Sequence, residues 1–263
     1  MNVRPVTLAS LSGAMDGGFV GVADVANVMH QVGVMSDHRL IGGIAVMLHI
    51  QRLGLELPLR VTGDADFGVP PHVLHDPSLV EEIEKLGYRR TMGNRWERPI
   101  DDRRTATVDL LVPTYTSRAR DTVQVGGIVT TEVPGLATAL RRPPVELNTE
   151  LRLTDGSNRK TTIALPDAIS TLTLEAHART VRSETQDAED LWRVLEVWLR
   201  ERVVPSDFDE DESLRRVPAI LRRELAPDGP ALAVLTNGLQ PDAAARMRTR
   251  IRALLAEIVG LNR

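Results

Sequence analysis

The sequence predicts an α+β fold, with a mixed-sheet domain over residues 1–165 and a helical bundle over 166–263. Two observations carry this reading. Strand-like runs alternate with helical stretches up to residue 165, and beyond Pro166 four consecutive stretches show helical periodicity, punctuated by Pro205, Pro227 and Pro241. A chain of 263 residues, 42% hydrophobic and 26% charged, is long and apolar enough to bury a real core.

Residues 19–34 place Val22, Val25, Ala26, Met29 and Val32 at helical spacing. Leu40-Ile41 leads into Gly42-Gly43 and then into a helix over 44–53, which Gly54 is placed to stop. Residues 59–69 read as a strand by alternation, closed by Pro70-Pro71. Ser78 precedes a helix over 79–86 whose first turn carries Glu81 and Glu82, where the helix dipole favours them. Residues 105–112, 123–131 and 145–153 are extended, and the turn at 154–158 (TDGSN) joins the last of these to 161–165 as a hairpin. The predicted helices of the second domain are 167–182, 187–202, 213–225 and 242–259, with Trp192, Leu195 and Leu199 as core.

Composition excludes several chemistries. The chain has no cysteine, so disulfides, thiolate metal sites and cysteine nucleophiles are out. The longest apolar run, 40–48, contains two glycines and is too short to span a bilayer. With no signal-peptide pattern, the expectation is a cytoplasmic protein without a membrane partner. The glycines at 13, 17, 18 and 21 precede no GK[ST] motif, which excludes a P-loop. The net charge of −4 does not by itself announce a nucleic-acid binder.

The chemistry lies in RLIGGIAVML at 39–48 and RVTGDADFGV at 60–69. Residues two apart on a strand share a face, so Arg60, Thr62, Asp64 and Asp66 project together. Two carboxylates so placed repel unless a cation sits between them, and hard oxygen ligands suit Mg²⁺ or Mn²⁺. Asp109, from a neighbouring strand, completes a two-metal site. Gly42-Gly43 lets backbone N–H groups approach a triphosphate unobstructed.

A glycine pair, a D-x-D strand and a lone aspartate strand, in that order, resemble the core of the polymerase-β-like nucleotidyltransferases. Arg60-Val61-Thr62-Gly63-Asp64-Ala65-Asp66 looks like the R-x-T-x-D-x-D signature of the AbiEii/MenT-type nucleotidyltransferase toxins. A second segment agrees: a proline-opened helix after Leu165-Pro166, then Arg182, Asp187 and Asp190 at the family's spacing. The resemblance touches most of residues 38–200 and nothing beyond. It implies transfer of a nucleoside monophosphate from an NTP to an RNA hydroxyl such as a tRNA 3′ end, with a cognate antitoxin as partner. Asp64, Asp66 and Asp109 would hold the metals, Gly42, Gly43, Arg60, Thr62 and Arg182 the nucleotide, and Asp187 would join the catalytic set. One position departs from the family: its lysine falls at Glu175, which reverses a charge. Two alternatives stand beside this reading, an antibiotic-type nucleotidyltransferase acting on a small-molecule hydroxyl and an inactive nucleotide-binding interaction protein.

His72 and His75 are three apart with no third ligand at a recognisable spacing, so surface histidines are expected. His177 is expected to be satisfied within a helix interface. Arg89, Arg90, Arg95, Arg98, Arg103 and Arg104, against Glu97, Asp101 and Asp102, leave +3 (six minus three) between the acidic strands. That segment reads equally as a phosphate-binding patch with Tyr88 or Trp96 stacking a base, or as a solvated loop with internal ion pairs.

Overall fold

A computed structural model describes residues 5–116, 119–182 and 184–259. The chain forms two compact units, Met1–Asp167 and Ala168–Arg263. The first contains, in order, β1 (Val6–Ala9), α1 (Gly13–Gln31), β2 (Arg39–Ile41), α2 (Gly42–Arg52), β3 (Asp64–Gly68), α3 (Pro71–His75), α4 (Ser78–Lys85), β4 (Arg89–Met92) and β5 (Arg95–Pro99). It continues with β6 (Thr105–Pro113), β7 (Val123–Val125), β8 (Ile128–Val133), α5 (Leu136–Arg141), β9 (Val145–Arg152) and β10 (Asn158–Leu165). The second contains α6 (Ala168–Val181), α7 (Thr185–Glu201), α8 (Glu212–Glu224), α9 (Pro230–Thr236) and α10 (Pro241–Val259). The molecule is thus α+β, a mixed-sheet unit followed by a helical one.

The larger sheet runs β2-β3-β6-β5-β4. β3 is parallel to β6, while β2 and β5 are antiparallel to their neighbours. β6 is long enough to give one edge first to β5 and then, from Leu111, to β8. A smaller sheet sets β1 parallel and β10 antiparallel to β9.

Alternation along β3 and β6 buries Ala65, Phe67, Val108 and Leu110 on one face, with Phe19, Val22 and Met29 of α1 in the same core. α1 comes very close to this sheet: a side chain on Gly17 would overlap the Thr105 carbonyl oxygen. The helix therefore begins at Gly13, not at residue 19 as its apolar spacing predicts. Its poor helix formers are there for clearance, and Ser12 caps it by accepting from the Met15 N–H at 3.2 Å. The fully buried Asp16 accepts from the Thr154 N–H at 2.9 Å and from Arg104 at 3.0 Å. Arg104 also pairs with Asp101 and Asp155, so one guanidinium ties α1 to two turns.

β2 is anchored by Arg39, whose fully buried guanidinium donates to the carbonyls of Ser36, His38, Ala139, Leu140 and Arg142. Three of these close the C-terminal end of α5, where a helix leaves carbonyls unsatisfied. The charge is thus solvated by backbone dipoles three residues before Gly42.

The second unit buries an unusual number of charges. Arg179 pairs with Glu224 at 3.3 Å and donates to the Glu184 carbonyl at 2.9 Å, and Arg193 pairs with Asp190 at 2.9 Å. His177 Nε2 lies 3.1 Å from the Ser213 carbonyl, the helix-interface role expected of it. Along α7, Leu191, Val194, Leu195 and Trp198 are buried, whereas Trp192 and Leu199 are only half-buried. The core stripe therefore lies slightly off the one predicted.

Candidate active site

Gly42 opens α2 with φ +69°, a conformation that glycine adopts without strain. A side chain there would overlap Asp66 Oδ2. Ile41, the residue before α2, makes no side-chain cap hydrogen bond, and the first turn of the helix lies beside Asp66. A side chain on Gly43 would overlap the Arg60 guanidinium, which therefore lies against the same turn.

The acids come from adjacent strands. Asp66 is directly opposite Asp109 across the β3–β6 ladder, and Asp109 is directly opposite Arg95 across β6–β5. Asp64, two residues before Asp66, shares its face. One carboxylate oxygen from each of Asp64, Asp66 and Asp109 lies within 4.8 Å of the others. Asp109 is buried, while Asp64 and Asp66 are half-buried. Thr62 donates to Asp64 Oδ1 at 3.0 Å and fixes that carboxylate from behind.

Arg95 completes the row. Its Nη2 is 2.8 Å from Asp109 Oδ2 and 3.4 Å from Asp64 Oδ2, and its Nε is 3.3 Å from Asp109 Oδ1. Hydrogen bonding to Asp109, reinforced by the charges of Asp109, Asp64 and Asp66, outweighs desolvation and holds the guanidinium pKa above its ordinary value.

Several sequence expectations are corrected here. The strand predicted over 59–69 begins only at Asp64, so Arg60 and Thr62 are not on it and alternation is not what brings them to the acids. Arg60 arrives through the Gly43 turn and Thr62 through its hydrogen bond. The arginine-rich segment 89–99 forms a β-hairpin rather than a loop. Tyr88 and Trp96 are buried and unable to stack a base. Arg98 pairs with Asp24 at 2.6 Å, Arg104 with Asp16, Asp101 and Asp155, and Arg95 with the acid trio. Arg89, Arg90 and Arg103 are the exposed members of the cluster. His72 and His75 are exposed on the five-residue α3.

The helical unit holds the remaining predicted residues. Arg182, 57% exposed, pairs with the buried Asp187 at 3.2 Å. Burial raises the Asp187 pKa above the ordinary carboxylate value, partly offset by the charge of Arg182. Glu175 is buried on α6.

Fold and site together define an α+β protein with three clustered carboxylates on its mixed sheet, next to the start of a helix. No family model and no curated protein matches the chain. The likeness to the AbiEii/MenT-type toxins therefore stays one of motifs. Among solved structures the chain is similar to the antibiotic-resistance factor ANT(2'')-Ia in solution, at 13% identity and a TM-score of 0.41, covering 78% of this chain and 90% of that one. A likeness at that level assigns neither substrate nor reaction. No helix among the described residues is long and apolar enough to cross a membrane.

Proposed function

We propose that the protein is a metal-dependent nucleotidyltransferase that moves a nucleoside monophosphate from an NTP to a hydroxyl acceptor. The observation carrying this reading is the convergence of Asp64, Asp66 and Asp109 beside the N-terminus of α2. An all-oxygen carboxylate set fits a hard divalent cation, Mg²⁺ or Mn²⁺. That a guanidinium already bridges two of the three acids supports a cation position there. When bound, such a cation neutralises phosphate charge and activates the acceptor oxygen.

The chain's own groups supply the rest. The first N–H groups of α2, with Arg60, receive the triphosphate, because a helix start and a guanidinium both favour negative charge. Thr62 keeps Asp64 in one rotamer. In the transfer, the acceptor oxygen bonds to the α-phosphorus, the bond from that phosphorus to pyrophosphate breaks, and the acceptor proton passes to Asp109 and on to water. The roles of Arg182 and Asp187 rest on the motif resemblance, whereas the division into a nucleotidyltransferase domain over 1–165 and a helical domain over 166–263 rests on the change of periodicity after Pro166.

That same resemblance favours an RNA acceptor, a tRNA 3′ end, in a toxin paired with an antitoxin. The burial of Tyr88 and Trp96 removes one support for RNA, so a small-molecule hydroxyl stands as the competing acceptor. Each labelled NTP is to be incubated with Mg²⁺ and either total cellular RNA or a panel of polyhydroxylated amines. Label on RNA supports the toxin reading, and label on a small molecule supports the antibiotic-type reading. Nucleotide binding without transfer to any acceptor identifies an inactive nucleotide-binding protein and overturns the proposal.

A further inference from the structure

We infer that Arg95 is a displaceable latch: its guanidinium stands in for the cation at the acid trio and must leave Asp109 Oδ2 and Asp64 Oδ2 for a divalent metal to bind between them. This inference rests on the metal-site reading proposed above and concerns how that site is regulated.

The placement follows from the sheet. β5 is hydrogen-bonded antiparallel to β6, and the register sets Arg95 directly opposite Asp109. Side chains directly opposite on one face are near neighbours, so Arg95 cannot avoid the acids without turning toward solvent. The Leu110 N–H donates to the Asn94 carbonyl at 3.0 Å, which ties the residue before Arg95 to β6.

Arg95 makes a two-pronged contact with the most buried acid. Nε faces Asp109 Oδ1 at 3.3 Å, and Nη2 faces Asp109 Oδ2 at 2.8 Å. The same Nη2 reaches Asp64 Oδ2 at 3.4 Å, so one nitrogen bridges carboxylates from two strands. A divalent cation held by Asp109 and Asp64 would need those same two oxygens. A guanidinium nitrogen and a metal ion cannot share that space, and their charges repel. The arginine side chain is about one third exposed, at 35%, so it has a route outward.

The latch has an advantage for the protein without metal. Three carboxylates gathered within 4.8 Å repel one another, and Arg95 offsets part of that repulsion. It also sets a threshold, because the metal must outcompete a fork already in place. A merely structural arginine and a latch differ in sign at one measurement. Loss of a structural arginine lowers stability and leaves metal binding unchanged or weaker. Loss of a latch lowers stability in chelator yet tightens metal binding.

The test titrates Mn²⁺ into the full chain and reads free Mn²⁺ by electron paramagnetic resonance, comparing wild type with Arg95→Gln and Arg95→Lys. Thermal midpoints are read in chelator and in Mn²⁺. The latch predicts Mn²⁺ affinity tightened about tenfold or more in Arg95→Gln, since one unit of competing charge is removed at contact distance. Arg95→Lys keeps the charge without the fork, stays folded if Arg95→Gln does not, and is expected to tighten binding by a smaller factor. The midpoint in chelator falls in Arg95→Gln, and Mn²⁺ raises it by more than in wild type. Wild-type binding with equal or weaker affinity in both variants overturns the latch and leaves the metal site standing. A wild type and variants that all bind no Mn²⁺ overturn the metal reading and the latch together.

Discussion

Gly42 and Asp66 stand so close that the smallest side chain on the glycine would overlap the Asp66 carboxylate. The start of α2 and the second acid of β3 therefore form one unit, and the geometry of the proposed phosphate cradle fixes the geometry of a proposed metal ligand.

Gly42→Ala tests that unit. It forces an alanine to φ +69° and pushes Asp66 aside. Strain of about 1–3 kcal/mol is expected in chemical denaturation, with nucleotidyl transfer reduced at least about 100-fold. Gly43→Ala meets only the end of the flexible Arg60 side chain and is expected to cost less in both measurements. Equal transfer rates in Gly42→Ala and wild type would sink the cradle.

Substitution of the acids separates charge from structure. Asp64→Asn and Asp66→Asn relieve like-charge repulsion, so the fold is expected to survive while transfer and metal-dependent thermal stabilisation by NTP disappear. Asp109→Asn also weakens the contact with Arg95 at 2.8 Å. After allowance for solvent at the arginine, it is expected to lose about 1 kcal/mol of stability in chelator as well. Near wild-type turnover in any of the three removes that residue from the site.

Stability is expected to fall with acidification before the carboxylates titrate. Burial pushes the His38 pKa down to about 4 and the His49 pKa down to about 3. Both are therefore neutral in the fold but take up protons once unfolded, near pH 6.5. A depressed folded pKa means the stabilisation is fully present above pH 6.5 and is lost as pH falls toward about 4 and then about 3. The loss is about 1.4 kcal/mol per pH unit for each histidine. His177, also lowered by burial, adds in the same sense, and the raised Asp187 opposes it at the acid end. His49→Gln is expected to flatten the slope of unfolding free energy against pH between 6.5 and 4, and an unchanged slope would refute the assignment.

Two arginines three residues apart in the helical unit are expected to behave oppositely. Arg179 is buried against Glu224, so Arg179→Met leaves a carboxylate uncompensated and costs about 3–5 kcal/mol in denaturant midpoint analysis. Arg182 is mostly exposed, so Arg182→Ala costs under about 1 kcal/mol. If Arg182 takes part in nucleotide binding as the motif implies, its alanine variant nevertheless raises the KM for NTP. A silent KM and kcat would leave Arg182 as a surface partner of Asp187.

By itself the sequence determined the division into strand-rich and helical parts, the glycine turn at 42–43 and the identity of the three acids. These are local or periodic signals: alternation on β3 and β6 marks which residues share a face, and a glycine pair marks a backbone that must turn closely. Tertiary structure decided the partners. Strand alternation groups Arg60 and Thr62 with the acids, but the chain before Asp64 is not a strand. It is a hydrogen bond that ties Thr62 to Asp64, and the Gly43 turn that Arg60 lies against. Arg95 looked like one of six interchangeable arginines, and only the β5–β6 register singles it out by placing it opposite Asp109. The apolar spacing starts the first helix at residue 19, because nothing nearby in sequence announces that Thr105, nearly ninety residues on, will press against Gly17. A sequence states what each segment prefers, whereas pairing across strands depends on which segments arrive next to one another, and that is settled only when the whole core closes.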